Sequence, residues 1–267
     1  MDDVWVGTDG VDETTTTGTE ADPFKTIDHA MSRTYGTASD PITINLTGET
    51  FSPSTTGEVF PIRMISNVNL IGQSEEATIL DAEQTDGVIA MDDCENNIIS
   101  HLTITGGDNY RGGGIFTHGS YPILSHVTIS SNTAIQGGGI YTSLHSGSTL
   151  THVTISENTA GFGGGMLMRY SSDATLTHVT ISGNTASGGG GGMEMFSHCE
   201  ATFRNVTING NSAGTYSGGI ESWLSDFTLV NVTISGNTAG EHGGGMRLLN
   251  SNPTLTNVTI SGNTADE

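Results

Sequence analysis

Hydrophobic and polar positions alternate in short runs that recur along the chain. The pattern Val-Thr-Ile-Ser-x-Asn-Thr-Ala occurs six times with small variations between residues 127 and 265. In each copy Val and Ile alternate with Thr and Ser, a period of two that predicts a short strand with one buried face. No apolar period of 3.6 residues runs through the repeat, which argues against a helical repeat.

The copies follow one another at an almost constant spacing. Their turn asparagines are Asn132, Asn158, Asn184, Asn211, Asn237 and Asn263, which lie 26 or 27 residues apart. Between copies stands a glycine block followed by Ile or Met, as in Gly137–Ile140. One such unit buries too few apolar residues to fold alone, so units must stack to form a continuous core. The spacing therefore predicts an all-β, right-handed parallel β-helix of about 26 residues per coil, with the handedness that parallel crossovers usually adopt.

The two repeated blocks also resemble a known pattern. Gly-Gly-Gly-Ile/Met and Ile-Ser-x-Asn are similar to the GGA(I/L/V) and FxxN repeats of chlamydial polymorphic membrane proteins, with Ile in place of Phe. Over about residues 100–267 the chain resembles the parallel β-helices of the pectate-lyase-like superfamily. The resemblance implies the fold and an extracellular or outer-membrane surface location. Because that superfamily hosts lyases, hydrolases, adhesins and passenger domains, the resemblance does not select a function.

The N-terminal part of the chain lacks the regular repeat, whereas the C-terminal end lies within its last copy. Residues 1–41 are predicted to form an N-terminal cap and residues 42–267 the β-helix. Pro23 to Arg33 is predicted to form a short amphipathic capping helix, with Phe24, Ile27, Ala30 and Met31 on one side. Glu267 follows soon after the last turn asparagine, without a capping element. We therefore expect an uncapped or truncated end, followed by further domains of the same polypeptide or covered by a second copy.

Composition narrows the range of partners. The 267 residues include 7 basic and 29 acidic side chains, for a net charge of −22. A chain this acidic is unsuited to binding a nucleic-acid backbone. No apolar run approaches the roughly 18 residues of a membrane span.

The N-terminal acidic residues raise the question of calcium. Asp9, Asp12 and Asp22 lie in a Gly- and Thr-rich stretch, where carboxylate oxygens would suit Ca²⁺. Their spacing matches no EF-hand loop, and a solvated acidic surface is the alternative. We expect no required cofactor.

A stacked repeat converts sequence positions into columns of side chains. The turn asparagines are predicted to form a hydrogen-bonded ladder. A second column contains His101, His126, His152 and His178, followed by Asn205, Asn231 and Asn257. Two hypotheses stay open for it: a metal-binding or pH-sensitive strip, and a second polar ladder in which His replaces Asn.

A third pattern is a Thr-x-Ser array. Its Thr column runs from Thr103 to Thr259, and its Ser column is interrupted by Asn209. The array resembles the Thr-x-Thr rows of β-helical ice-binding proteins. The alternative is that Thr is simply a favourable strand residue.

The strand after each glycine block carries the most varied outward side chains, which we call the variable face. Its first row is Ala90, Phe116, Tyr141, Leu167, Glu194, Glu221 and Arg247; its second row is Asp92, His118, Ser143, Arg169, Phe196, Trp223 and Leu249. Exposed aromatic rings beside carboxylates and guanidinium groups suit sugars. The predicted ligand-binding residues are Phe116, His118, Tyr141, Arg169, Phe196, Trp223 and Arg247.

These residues lead to three functional hypotheses. The first is an extracellular or cell-surface module that binds carbohydrate, such as a polysaccharide or cell-surface glycan, or a surface partner without catalysis. The second is a polysaccharide-active hydrolase or lyase in which Glu194 and Glu221, on neighbouring coils, supply acid and base. The third is ice binding by the Thr-x-Ser array.

The two cysteines are predicted to be free thiols. Cys94 and Cys199 belong to coils four intervals apart, which separates them by about 19 Å at the usual strand spacing. That distance exceeds the reach of a disulfide.

Overall fold

The computed structural model describes residues 3–266. Residues 1 and 2 of the predicted cap and residue 267 of the predicted β-helix lie outside this range. The early elements are β1 (Val4–Val6), α1 (Ile27–Arg33), β2 (Ile42–Leu46), β3 (Thr50–Phe51), β4 (Ile62–Arg63), β5 (Val68–Ile71), β6 (Ile79–Asp81) and β7 (Ile89–Asp92). The regular coils follow as β8 (Ile98–Thr105), β9 (Asp108–Arg111), β10 (Ile115–His118), β11 (Ile123–Ser130), β12 (Thr133–Gln136), β13 (Ile140–Ser143), β14 (Gly147–Ser156), β15 (Thr159–Phe162), β16 (Met166–Arg169), β17 (Asp173–Thr177), β18 (Thr180–Ser182), β19 (Thr185–Ala186), β20 (Met193–Phe196), β21 (Glu200–Arg204), β22 (Thr207–Asn209), β23 (Ser212–Ala213), β24 (Ile220–Trp223), β25 (Asp226–Ser235), β26 (Thr238–Ala239), β27 (Met246–Leu249), β28 (Thr254–Ser261) and β29 (Thr264–Ala265).

These strands form a parallel solenoid of about nine coils, about 26 residues apart, which confirms the predicted architecture. One sheet has 14 strands and contains the Val-Thr-Ile-Ser segments, from β1 to β28. A second sheet has eight strands in the order β27-β24-β20-β16-β13-β10-β7-β4, and a third has seven short strands from β9 to β29. The apolar side chains of the coils fill one narrow core between the sheets.

The turn asparagines form the predicted ladder. The Asn158 amide donates to Asn184 Oδ1 at 3.0 Å and to the Ile129 carbonyl at 2.9 Å, and the Asn158 backbone N–H also donates to Asn184 Oδ1. Asn184 repeats this arrangement with Asn211 in the next coil. Because the side chains are fully buried, every amide group needs such partners.

The glycine blocks permit the turn into the eight-stranded sheet to pack closely. A Cβ on Gly138 would lie 2.5 Å from the Gly164 carbonyl oxygen, and one on Gly139 would lie 2.6 Å from that of Gly165. Backbone of the next coil therefore occupies the space that a side chain would need. The strand after each glycine block therefore begins in the same register in every coil.

A short helix covers the N-terminal end of the core, as predicted, but it begins later than expected. Helix α1 starts at Ile27 because Thr26 is its N-cap, with Thr26 Oγ1 accepting from the His29 N–H. Phe24 instead lies in extended backbone that pairs with Val6. Buried Glu58 accepts the N–H groups of Ile27 and Asp28 at 2.7 and 3.0 Å. Burial raises the pKa of Glu58, although these hydrogen bonds oppose the rise.

The last described coil contrasts with the interior coils. Leu229 and Ile234 are fully buried, whereas Leu255 and Ile260, their partners one coil later, are about half exposed. The exposed pair lies on the surface of the last described coil. Cys94 and Cys199 are both buried free thiols, which confirms that prediction.

Candidate functional site

The variable face is the outer surface of the eight-stranded sheet. In its first row the register pairs Leu167 with Glu194, Glu194 with Glu221, and Glu221 with Arg247. In its second row it pairs Arg169 with Phe196, Phe196 with Trp223, and Trp223 with Leu249. Four adjacent strands, β16, β20, β24 and β27, therefore hold two carboxylates, two guanidinium groups and two aromatic rings together.

A column of turn residues forms a wall beside this face. The wall residues each come directly before a glycine block or its Ser217 counterpart, and they are Arg111, Gln136, Phe162, Gly189, Tyr216 and His242. The Arg247 guanidinium stacks on the Tyr216 ring at 3.9 Å. A Cβ on Gly189 would overlap Glu221 Oε2. The missing side chain at Gly189 thus leaves room for the Glu221 carboxylate between Phe162 and Tyr216.

Face and wall enclose a cavity of about 370 Å³. Its lining residues are Phe162, Arg169, Glu194, Phe196, Tyr216, Glu221, Trp223, Arg247 and Leu249. The volume falls within the range of small-ligand pockets. Trp223 is 44% exposed, and its ring meets the Phe196 ring edge-on at 5.4 Å. The cavity therefore combines buried charge with an aromatic surface open to solvent.

The two carboxyl groups differ in their surroundings. Glu194 is only 8% exposed, and its buried Oε2 has no hydrogen-bond partner among the described residues. Burial, reinforced by the charge of Glu221 and opposed by Arg169, raises the pKa of Glu194 to about 8. Glu221 is 7% exposed and accepts a 2.7 Å hydrogen bond from Arg247 Nη1. Burial raises the pKa of Glu221, whereas Arg247 favours its ionised form.

This asymmetry assigns different chemistry to the two groups at neutral pH. Glu194 is mainly protonated and able to donate a proton, whereas the Arg247 guanidinium group favours the ionised form of Glu221. The Arg169 guanidinium lies 5.3 Å from the Phe196 ring, and its buried Nε has no partner in the described part of the chain. The cavity is thus lined by a protonated carboxyl group, a carboxyl group bound to arginine and the Arg169 side chain.

The remaining predicted binding residues lie elsewhere on the face. Phe116 and Tyr141 stack in parallel at 5.8 Å, but they lie outside the cavity that contains Glu194. The expectation that Tyr141 is exposed is wrong, since it is 1% exposed and Arg111 of the wall stacks on it at 5.4 Å. Phe116 and Phe196 are half-buried. His118 lies beside Asp92, with Nδ1 and Oδ1 2.7 Å apart.

Possible metal ligands lie in two places. Asp12 accepts the Lys25 N–H at 2.8 Å, and Asp22 accepts the Thr17 N–H at 2.9 Å, so both carboxylates hold local backbone. Asp9, Asp12 and Asp22 do not form a group with ligand atoms within 4.8 Å of one another. Within residues 3–266 only Asp92, Asp93 and His118 do so, and both aspartates are exposed.

The histidine column is stacked as its spacing predicts. Neighbouring rings among His101, His126, His152 and His178 have centroids 4.9–5.0 Å apart. All four residues have φ between +53° and +57°, as do the asparagines that continue the column, within a few degrees. His and Asn are among the residues that tolerate this left-handed conformation. The backbone therefore explains the exchange of His for Asn.

The Thr-x-Ser array is likewise in register. Thr128 pairs with Thr154, and Thr154 pairs with Thr180 on the next coil. Asn209 interrupts the Ser column opposite Ser182 and Ser235. Ice binding by this array stays a prediction.

The fold and the comparisons agree on the class of protein. The family model described as right handed beta helix region matches residues 65–239, and the chain belongs to that family. Among solved structures it is similar to pectate lyase Pel9A, with a TM-score of 0.66 and 13% identity over 100% of this chain and 78% of that one. It is also similar to pectin methylesterase PemA from Erwinia chrysanthemi, with a TM-score of 0.58 and 10% identity over 99% and 91% of the two chains. Identities this low show a shared fold.

No curated protein matches the sequence significantly. Across the described residues, no helix is long and apolar enough to span a bilayer.

Proposed function

We propose that the chain is a secreted or surface-exposed polysaccharide hydrolase whose active site is the cavity around Glu194. The observation that carries the proposal is the unpartnered carboxyl of Glu194 beside the arginine-bound carboxylate of Glu221. A neutral acid and an ionised carboxylate on neighbouring strands are the two groups that glycoside hydrolysis needs.

In this scheme Glu194 donates its proton to the glycosidic oxygen as the bond to the anomeric carbon breaks. Glu221 faces the positive charge that develops on that carbon, either directly or through the attacking water. Arg247 favours the ionised form of Glu221, although burial raises the pKa of that carboxyl group. Product stereochemistry would assign Glu221 as nucleophile or base.

The surroundings of the carboxyl pair support a sugar ligand. The exposed Trp223 ring offers an apolar surface in the cavity, and Phe196 and Arg169 line the cavity beside it. Sugars stack on such faces and hydrogen-bond at their edges. Two proteins with the same fold are named for pectin chemistry, which is consistent with a polysaccharide.

Binding without catalysis is the second candidate. It is favoured by the burial of both carboxyl groups and by the exposure of Trp223, because stacking on Trp223 needs no access to Glu194. In that case Glu194 and Glu221 would shape the pocket and take no part in a reaction.

Assays on a broad polysaccharide panel, with and without Ca²⁺, separate these functions. Insoluble-polymer pull-down measures binding, reducing ends report hydrolysis, and unsaturated products report a lyase. Wild type is compared with Glu194→Gln, Trp223→Ala and the exposed control Glu157→Gln. We expect Glu194→Gln to bind normally and lose at least about 100-fold in turnover, Trp223→Ala to bind weakly, and Glu157→Gln to match wild type.

The other outcomes each decide the question. Binding that depends on Trp223, with no turnover by any variant, would replace the hydrolase with a binding module. Unsaturated products would replace it with a lyase. If wild type shows no binding and no turnover on any polymer, both candidates are overturned.

A further inference from the structure

The histidine column lies on the exposed side of the 14-stranded sheet, away from the eight-stranded sheet that holds the carboxyl pair. His101, His126 and His152 belong to β8, β11 and β14, and His178 lies between β17 and β18. All four side chains are exposed. Four of the nine histidines of the chain therefore form one strip on a surface that the proposed hydrolase does not use.

The histidine and asparagine halves of the column differ in their contacts. The Asn257 amide donates to Asn231 Oδ1 at 3.2 Å, and the Asn231 amide donates to Asn205 Oδ1 at 3.1 Å. At the junction, Asn205 Nδ2 lies 3.1 Å from His178 Nε2. The histidine rings instead stack face to face, parallel to within 14°. Stacking uses the faces of the other three rings and leaves their nitrogens on exposed edges, where they can bind a ligand.

A carboxyl group lies beside the first two rings of the column. The Glu75 carbonyl accepts from Thr103 Oγ1 at 2.6 Å, which holds the Glu75 loop against the strand that contains His101. Burial and the charge of Glu76 raise the pKa of Glu75. The charges of His126 and then of His101 oppose this rise, so both rings are close enough to act on the Glu75 carboxylate.

These three side chains form a donor set that suits a transition-metal ion. Imidazole nitrogens bind Zn²⁺, Ni²⁺ and Cu²⁺, and a carboxylate oxygen completes three protein ligands with one position left for water. The His101 and His126 ring centroids are 5.0 Å apart, whereas two nitrogens bound to one zinc ion are separated by no more than about 4.2 Å. Because both side chains are exposed, tilting the rings closes this gap of about 1 Å without displacing the core.

We propose that Glu75, His101 and His126 form a binding site for one divalent transition-metal ion of the zinc, nickel and copper class. Two neighbouring rings supply the nitrogens, since rings two coils apart are separated by about 10 Å. The net charge of −22 attracts cations to the surface. The site is independent of the proposed function, because it shares no residue with the Glu194 cavity.

Calorimetric titration with ZnCl₂ tests the site, on protein treated with a chelator that is then removed. The ligand variants are the double variant His101→Asn/His126→Asn and the single variant Glu75→Gln. Asn occupies the same column in later coils with a similar left-handed φ, so the double variant keeps the backbone conformation. The control variants change exposed residues outside the site, and they are His145→Asn/His198→Asn and Glu76→Gln. Both control histidines also have left-handed φ values.

We expect the double variant to bind Zn²⁺ at least about 100-fold more weakly than wild type, and Glu75→Gln about 10-fold more weakly. The control variants should bind like wild type. The site is wrong if wild type binds no Zn²⁺ at about 1 mM, or if the double variant binds like wild type. Equal weakening in the control double variant would replace the site with nonspecific binding by surface histidines. Unchanged binding by Glu75→Gln would overturn the three-ligand site.

Discussion

The asparagine ladder and the variable face run along the same solenoid but obey different rules. In the ladder one residue type recurs in six coils, is almost fully buried in the interior, and has a partner for each amide group. In the first row of the face seven coils carry six residue types, and Glu194 keeps a buried oxygen without a partner. Stacking demands uniformity where polar groups are enclosed by the next coil, and it permits variation where side chains point outward.

The difference locates function within a repetitive molecule. A residue repeated in every coil provides hydrogen bonds to the stacked backbone. A residue that departs from the repeat and also leaves a buried polar atom unpaired does not stabilise the fold in this way. Four predictions test this contrast, each by changing one member of the uniform or the variable columns.

Removing one ladder amide should have the largest effect on stability. In Asn184→Ala the backbone N–H and amide of Asn158 lose their acceptor, and the carbonyl of Ile155 loses its donor. We expect a loss of about 4 kcal/mol, since each orphaned buried group costs roughly 1 to 3 kcal/mol. Chemical denaturation measures it, with Asn252→Ala as the control, since Asn252 is exposed and lies outside the ladder. Equal losses in the two variants would contradict the ladder account.

Replacing Glu194 by Gln should stabilise the protein at alkaline pH. The folded-state pKa of about 8 lies above the ordinary value of 4.5, so the folded state binds the proton more tightly. The stability contributed by this protonation is complete below pH 4.5 and is lost as the pH rises to 8. We expect the variant to gain about 4 kcal/mol relative to wild type between pH 5 and pH 9. Parallel denaturation curves would disprove the shift.

Filling the gap in the wall should weaken function without unfolding the chain. An added Cβ in Gly189→Ala meets mainly the Glu221 carboxylate, a flexible group that can move away. We expect about a 10-fold loss in turnover or ligand affinity, because the displaced carboxylate leaves its place beside Arg247. Gln136→Ala, at the equivalent wall position two coils earlier, is the control. An unaffected Gly189→Ala would show that the position of Glu221 is unimportant.

Exchanges within the histidine column should have the smallest effect. His152→Asn keeps a residue that tolerates φ of +54° and should change stability by less than about 0.5 kcal/mol. His152→Val places a β-branched residue in the same conformation and should cost about 1 to 2 kcal/mol. Thermal denaturation of the two variants compares them. Similar stabilities would show that backbone conformation does not govern this column.

Spacing alone predicted most of the fold. A parallel coil places residue i beside a residue about 26 positions later, so the sequence register directly gives the rows of Glu194 and Glu221, of His101 and His126, and of the turn asparagines. The free cysteines followed from the same counting. These predictions held because each needs only the coil assignment and not the direction of a side chain.

The covering of the variable face was not predictable in the same way. Alternation correctly points Tyr141 outward from the core, but Arg111 of the wall stacks on it and buries it. Turn side chains have no fixed period, so their direction could not be read from the repeat. The signal that was available is the column before the glycine blocks, in which Gly189 stands between Phe162 and Tyr216.

The helix boundary shows a similar limit. Apolar spacing from Phe24 to Met31 suggested a longer helix, whereas the start is set by the Thr26 cap and by Glu58, far away in the chain. A local sequence pattern does not show a hydrogen-bond acceptor that lies 31 residues away in the chain.

The central claim is that the fold buries a protonated carboxyl group in the cavity of the variable face. The most direct test is a pH titration of the Glu194 side-chain carboxyl carbon by NMR, with the resonance assigned by its loss in Glu194→Gln. The account predicts a midpoint near pH 8, and a midpoint near 4.5 would contradict it.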